Sequence, residues 1–243
     1  MNGQILKSES GVIIYDAERF SHAGTQPQAA WFDPGWWREQ GLVVSERSGR
    51  GTTLIVDSPV GRAVLRQYLR GGWVARFVRS RYFFTGYHRS RPFREFRILE
   101  QIVALELPVP TPVAALCQRR GFTSGGALIT LEIPNARPLE EVLPRLGPES
   151  WQAVGACIAK FHRHGVVHVD LTVRNILYQE GGGIYVIDFD RARIRTGANE
   201  AFSRNLLRLH RSLLKAWPQQ ERDMESSAWT HLLQGYESSI QGA

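Results

Sequence analysis

Cysteine is scarce in this chain: Cys117 and Cys157 are the only two, too few for a disulfide framework or a four-ligand zinc site, so a reducing compartment is the default. No apolar run approaches the roughly 20 residues that span a bilayer. Met1 to Ser10 lacks the apolar core of a secretory signal, so neither a spanning nor an exported chain is expected. Internal repeats, low-complexity tracts and long glycine–serine linkers are also missing. Lysine is the last shortage, since only Lys7, Lys160 and Lys215 stand among 30 basic residues. The net charge of +7 is therefore carried by arginine, which stays charged and offers a planar fork matching phosphate and carboxylate oxygens. Genomic base composition favours arginine by itself. The charge alone therefore points no further than an anionic partner: nucleotide, nucleic acid or an acidic membrane face.

At 243 residues, 43% hydrophobic and 22% charged, the chain is an ordinary globular protein with one substantial core, or two small lobes sharing a cleft. Val43 to Tyr68 reads as three strands separated by turns at Ser48-Gly49-Arg50-Gly51 and Ser58-Pro59-Val60-Gly61. A basic, aromatic stretch follows to Arg91. Ser90 then caps a helix with Pro92 in its first turn and helical apolar spacing from Phe93 to Leu105. Leu116 to Ile133 makes two more strands, and Pro134 to Pro148 a proline-rich connector. A helix starts at Ser150 with Trp151, Val154, Ile158 and Phe161 on one side and closes at Gly165. Val166 to Asp190 is short-stranded and loop-rich, and Asn199 to Tyr236 mostly helical. Strands with one helix first and helices afterwards predict an α+β, two-lobed layout. Residues 1–133 form the sheet lobe with an N-terminal extension, and residues 134–243 the mainly helical lobe. Trp31, Phe32, Trp36 and Trp37 form an apolar cluster read as packing rather than membrane contact.

The chemistry concentrates in His168-Val169-Asp170-Leu171-Thr172-Val173-Arg174-Asn175-Ile176-Leu177, followed by Ile187-Asp188-Phe189-Asp190. Phosphoryl transfer needs a carboxylate beside the attacking hydroxyl, oxygen ligands for magnesium and positive charge near the phosphates. Asp170 can accept the hydroxyl proton. Asn175 returns along the same loop with a neutral oxygen, and Asp188 adds a carboxylate from the next strand. Gly181-Gly182-Gly183 makes the hairpin that brings that strand back. One amide and one carboxylate suit magnesium, which prefers few protein oxygens plus phosphate oxygens. Read blandly, Asp170 and Asn175 are turn residues and His168 a core histidine; the hairpin and the second motif together argue against that.

This segment resembles the catalytic loop and metal-binding motif of protein kinases and small-molecule kinases. From roughly Trp31 onward the chain resembles bacterial lipopolysaccharide kinases, most of all those acting on 3-deoxy-D-manno-octulosonic acid (Kdo). Val64 to Gly72, Tyr82 to Gly86, Arg94-Glu95-Phe96, Leu107 to Pro110 and Ile187 to Arg193 carry the likeness. It implies a protein-kinase-like fold and ATP- and magnesium-dependent phosphorylation of a Kdo hydroxyl on a lipid A-linked acidic sugar. It also implies peripheral contact with an anionic membrane at the cytoplasmic face of the inner membrane, and no nucleic-acid partner.

A kinase of this type holds the nucleotide phosphates with a strand cation paired to a helix glutamate. No lysine lies between Lys7 and Lys160, so Arg66 stands in that place, or is a surface strand residue. Helical phase selects Glu95 as its partner, because Glu95, Leu99 and Ile102 share one face and a carboxylate on an apolar stripe is costly unless paired. A solvated glutamate at the stripe's edge is the alternative. Gly49 and Gly51 would form the phosphate-covering turn, a pattern common to many hairpins. Glu132 is assigned by position alone to the lobe connection that meets adenine.

From Arg66 to Arg91 seven arginines alternate with aromatics. That mixture suits an interface where phosphate meets apolar matter, equally suits single-stranded nucleic acid, and also reads as a solvated basic face. Arg191, Arg193 and Arg195 are expected near an anionic acceptor. Asp190, where protein kinases have glycine, is either a further magnesium contact or an arginine partner. Two rival functions remain: another small-molecule or heptose kinase, and a non-catalytic kinase-like module docking on nucleic acid or an anionic membrane.

Overall fold

The computed structural model describes residues 3–8, 10–48, 52–68, 86–120, 123–217 and 222–241. The chain divides into two compact units. One comprises residues 1–104 and 110–132, the other residues 105–109 and 133–243.

The first unit is built on a seven-stranded antiparallel sheet. Its strands are β1 (Gly3–Ser8), β2 (Gly11–Asp16), β3 (Val43–Ser48), β4 (Thr52–Ser58), β5 (Gly61–Gln67), β6 (Pro112–Arg120) and β7 (Thr123–Leu131), in the order β1-β2-β6-β7-β5-β4-β3. The predicted meander over Val43 to Tyr68 is β3 to β5, with Ser48 opposite Thr52 and Ser58 opposite Gly61. Alternation decides the inner face. Leu54, Val56, Ala63 and Leu65 are fully buried while their neighbours are not, as expected where successive side chains point to opposite faces. Two short helices, α1 (Ala17–His22) and α2 (Pro34–Glu39), supply aromatics to the same core in addition to the one helix expected in this lobe. Phe20, Trp31, Phe32 and Trp37 are buried there, and the Trp37 indole N–H donates to the Trp31 carbonyl at 2.6 Å. The aromatic cluster is therefore packing. Truncating one such ring would cost on the order of 3 kcal/mol or more.

Helix α3 (Arg91–Ala104) lies in the same unit with Phe93, Glu95, Phe96, Leu99 and Ile102 buried. The hydroxyl of Ser90, expected as its cap, donates to the Tyr87 carbonyl at 2.7 Å. At the other end Glu100 accepts the Gly3 amide at 2.8 Å, tying β1 to the helix.

In the second unit, α4 (Pro148–Arg163) packs along α6 (Arg222–Gln241), with α5 (Asn199–Ala216) beside them. The expected connector contains a short strand, β8 (Ala136–Pro138), which pairs with β10 (Ile176–Gln179); β10 also pairs with β11 (Ile184–Val186). Gly181 and Gly182, at φ 102° and 99°, make the turn of that hairpin, a region closed to side-chain-bearing residues without strain. β9 (Val166–Val167) pairs with β12 (Arg193–Ile194), so the two strands bracket the His168–Asn175 loop and the second motif. Residues 105–109 belong here because Leu107 and Val109 are buried and the Pro108 carbonyl accepts the Val186 amide at 3.0 Å.

Candidate active site

The loop after β9 is held from below. The His168 amide donates to the Asn205 side-chain oxygen at 3.1 Å, and the ring Nε2–H donates to the Ile187 carbonyl at 2.9 Å. The ring meets Phe189 edge-on at 4.9 Å, and Phe189 in turn stacks on Phe161 at 5.9 Å. Burial lowers the His168 pKa; the Ile187 hydrogen bond and then the nearby charges of Asp188 and Asp170 oppose the shift. The imidazole is thus a neutral strut between the loop and the second motif, within electrostatic reach of both carboxylates.

Two backbone links join the expected ligands. The Asn175 Nδ2 donates to the Asp170 carbonyl at 2.8 Å, which uses one of the amide's two N–H donors and leaves its oxygen as the ligand-capable atom. The Asn175 carbonyl accepts the Ile187 amide at 2.9 Å, fastening the strand that delivers Asp188. Asp188 itself sits at φ 69°, a left-handed conformation that costs a side-chain-bearing residue about 1 kcal/mol and clusters at functional sites. The Asp170 carboxylate is exposed, and its Oδ1 accepts from the Arg208 guanidinium at 2.9 Å. Asp190 is half-buried and Arg191 is exposed, while Arg193 is exposed on β12.

One face of α5 was not anticipated. Asn205, Arg208 and Ser212, at i, i+3 and i+7, hold the loop after β9 at three points: the His168 amide, the Asp170 carboxylate and the Val173 amide, the last at 3.0 Å. The signal available in the sequence was polar residues at helical spacing beside the apolar Leu209 and Leu213.

In the first unit Arg66, on β5, is paired with Glu95 of α3; the Tyr68 hydroxyl also donates to Glu95, and Arg66 donates to that hydroxyl at 3.0 Å. Glu95 is 2% exposed, so its charge is tolerated only because these donors surround it. Burial, then the neighbouring Glu95 charge, pushes the Tyr68 hydroxyl pKa well up. Glu132 closes the unit: its amide donates to the Arg62 carbonyl at 3.0 Å, and its carboxylate lies 3.7 Å from the Arg62 guanidinium. Gly49 and Gly51, and the arginine–aromatic stretch over 69–85, lie outside the described residues.

Among the described residues no three His, Cys, Asp or Glu side chains form a metal cluster. By donor chemistry alone, the carboxylate and amide expected as ligands, Asp188 and Asn175, suit a hard cation that keeps water and phosphate ligands better than they suit zinc.

Several relatives carry the name 3-deoxy-D-manno-octulosonic acid kinase. The protein from Xanthomonas axonopodis pv. citri (strain 306) is 42% identical over 230 residues, covering 93% of this chain and 90% of its own. That from Xanthomonas oryzae pv. oryzae (strain PXO99A) is 44% identical over 206 residues, covering 84% and 81%. That from Xylella fastidiosa (strain M12) is 40% identical over 206 residues, again 84% and 81%. The lipopolysaccharide kinase (Kdo/WaaP) family matches residues 34–236. With likeness of this extent and with the loop geometry above, the chain belongs to the lipopolysaccharide kinase (Kdo/WaaP) family.

Proposed function

We propose that this protein is a Kdo kinase, which uses ATP and magnesium to phosphorylate a hydroxyl of Kdo on Kdo-lipid A. The observation that carries the reading is the hydrogen-bonded loop in which Asn175 grips the Asp170 carbonyl while Ile187 returns to the Asn175 carbonyl. It ties the loop that carries Asp170 and Asn175 to the segment that carries Asp188 before any substrate arrives, which supports a positional mechanism.

In this mechanism the Asp170 carboxylate accepts the proton of the acceptor hydroxyl. The freed oxygen forms a bond to the γ-phosphorus of ATP, the bond from that phosphorus to the bridging oxygen breaks, and ADP leaves. Asn175 and Asp188 are the protein's magnesium ligands. Bound magnesium supplies charge neutralisation on the phosphates. Arg66, oriented by Glu95 and Tyr68, binds the nucleotide phosphates, with a two-pronged guanidinium in the role more often taken by lysine. The glycines at 49 and 51 cover those phosphates, and Glu132 marks the adenine side. His168, buried and bonded to backbone, is a positioning residue and not one that touches the reacting atoms. Arg191, Arg193 and Asp190 belong to the acceptor side. The same reading assigns residues 1–133 to nucleotide binding and residues 134–243 to catalysis. It puts the protein in the cytoplasm, at the inner face of the inner membrane, where its lipid-linked substrate resides.

The test is mass spectrometry of Kdo-lipid A incubated with the protein, ATP and magnesium. One added phosphate is expected, reduced at least about a hundredfold by Asp170→Ala. No added phosphate with the unaltered protein, or unchanged turnover in the variant, would refute the reading.

A further inference from the structure

The second unit contains a pocket of about 820 Å³, bounded by α5, by the catalytic-loop residues Val169 and Thr172, and by β12. Its size is that of a small-molecule site, and beside apolar wall residues such as Val167, Val173 and Leu207 it is lined by Arg193, Arg195, Arg204, Arg208, Arg211 and Lys215. The one acid on its wall, Glu140, is held by Arg174 at 2.7 Å. Arg204 pairs only with the exposed Glu200 at 3.2 Å, and among the described residues Arg193, Arg195, Arg211 and Lys215 have no carboxylate within ion-pair distance. Convergent like charges raise the energy of the empty pocket and focus its field on anions. Guanidinium groups match carboxylate and phosphate oxygens two at a time.

Arg208 connects this pocket to the chemistry, because the side chain that lines it also bonds the Asp170 carboxylate at 2.9 Å. An anionic group seated against Arg208 therefore lies beside the proton acceptor.

We propose that this basic pocket is the acceptor's anion subsite. It grips a carboxylate or phosphate of the acidic glycolipid through Arg193, Arg204, Arg208 and Arg211, and so sets the sugar hydroxyl beside Asp170. The proposal rests on the kinase reading above and adds the residues that select an acidic acceptor.

Arg193 and Arg211 are exposed and neither bonds the catalytic loop, so replacing them leaves the fold intact. In the double variant Arg193→Gln/Arg211→Gln, the KM for Kdo-lipid A is expected to rise about tenfold or more with the KM for ATP unchanged. An unchanged acceptor KM overturns the proposal. Two trimmed acceptors identify the anion, one with its sugar carboxyl methyl-esterified and one with its lipid phosphates removed. The difference between variant and unaltered protein should collapse with one of them; persistence with both overturns the proposal. If the unaltered protein phosphorylates no acceptor, the kinase reading fails by itself, and calorimetric titration with free Kdo and with inorganic phosphate judges the pocket. Binding that the double variant loses supports it, whereas absence of binding, or equal binding by both proteins, overturns it.

Discussion

Asp188 meets two demands with one side chain. Its backbone is left-handed at φ 69°, which among side-chain-bearing residues Asp and Asn tolerate best, and its proposed role needs a carboxylate. The demands separate by substitution. Asp188→Asn is expected to keep the fold's stability and lose phosphoryl transfer, whereas Asp188→Ala loses transfer and about 1 kcal/mol of stability as well. Urea unfolding beside a transfer assay checks both, and an alanine variant as stable as the asparagine one would remove the backbone half of the argument. At this scale the candidate loop and its hairpin were legible because their residues are neighbours in sequence. Asp170 and Asn175 lie on one loop, and three glycines announce the hairpin to Asp188. Arg66 and Glu95 are 29 residues apart, yet strand position and helical phase brought them together. Asn205, Arg208 and Ser212 were not legible. Each is bonded to a loop residue 37 to 39 positions earlier; their spacing marks a polar helix face, but nothing local names the loop as its partner.

Among the elements, α4 and α6 cross at glycines, where each backbone occupies the place a side chain would take. A Cβ added to Gly155 would stand 1.9 Å from the Leu232 carbonyl oxygen, and one added to Gly235 would stand 2.0 Å from that of Gln152. Two effects oppose each other in Gly155→Ala. Alanine favours helix by up to about 1 kcal/mol, while forcing the helices apart costs about 1–3 kcal/mol. Because a backbone oxygen cannot rotate away, the clash should win. The expected outcome is a lower urea midpoint with a net loss of about 1 kcal/mol or more, and a stabilised variant would contradict the crossing. Elements showed in the sequence where punctuation and period agreed. The turns at Ser58 to Gly61 and the alternating Leu54, Val56, Ala63 and Leu65 gave β4 and β5, and the apolar stripe of Trp151, Val154, Ile158 and Phe161 gave α4. β1 was not recognised: only half of Gly3–Ser8 is even partly buried, so it carries little alternation. Its place is fixed by pairing with β2 and by Glu100.

For the molecule as a whole, buried histidines set a limit on the acid side. His162 is buried, stacks on Phe202 at 4.3 Å and bonds the Tyr236 hydroxyl at 2.9 Å. Burial lowers its pKa from 6.5 to about 4, and His168 is shifted in the same direction. A depressed histidine means that the unfolded chain binds more protons than the folded one between those two values. Stability is therefore complete above about pH 6.5 and falls as the pH approaches 4, by on the order of 3 kcal/mol from His162 alone. Melting temperature measured from pH 7 to 4.5 should decline through this window, before most carboxylates titrate. A flat profile would show that His162 is protonated in the folded protein.

The chain also passes from one unit to the other more than once, since residues 105–109 leave the first and return to it. Dissection at a single peptide bond therefore yields no clean halves. A fragment starting at residue 133 lacks the buried Leu107 and Val109 and leaves the Val186 amide without its Pro108 acceptor. A chimaera that borrows the sheet unit from a relative needs three junctions, after residues 104, 109 and 132, with the pentapeptide retained from the recipient.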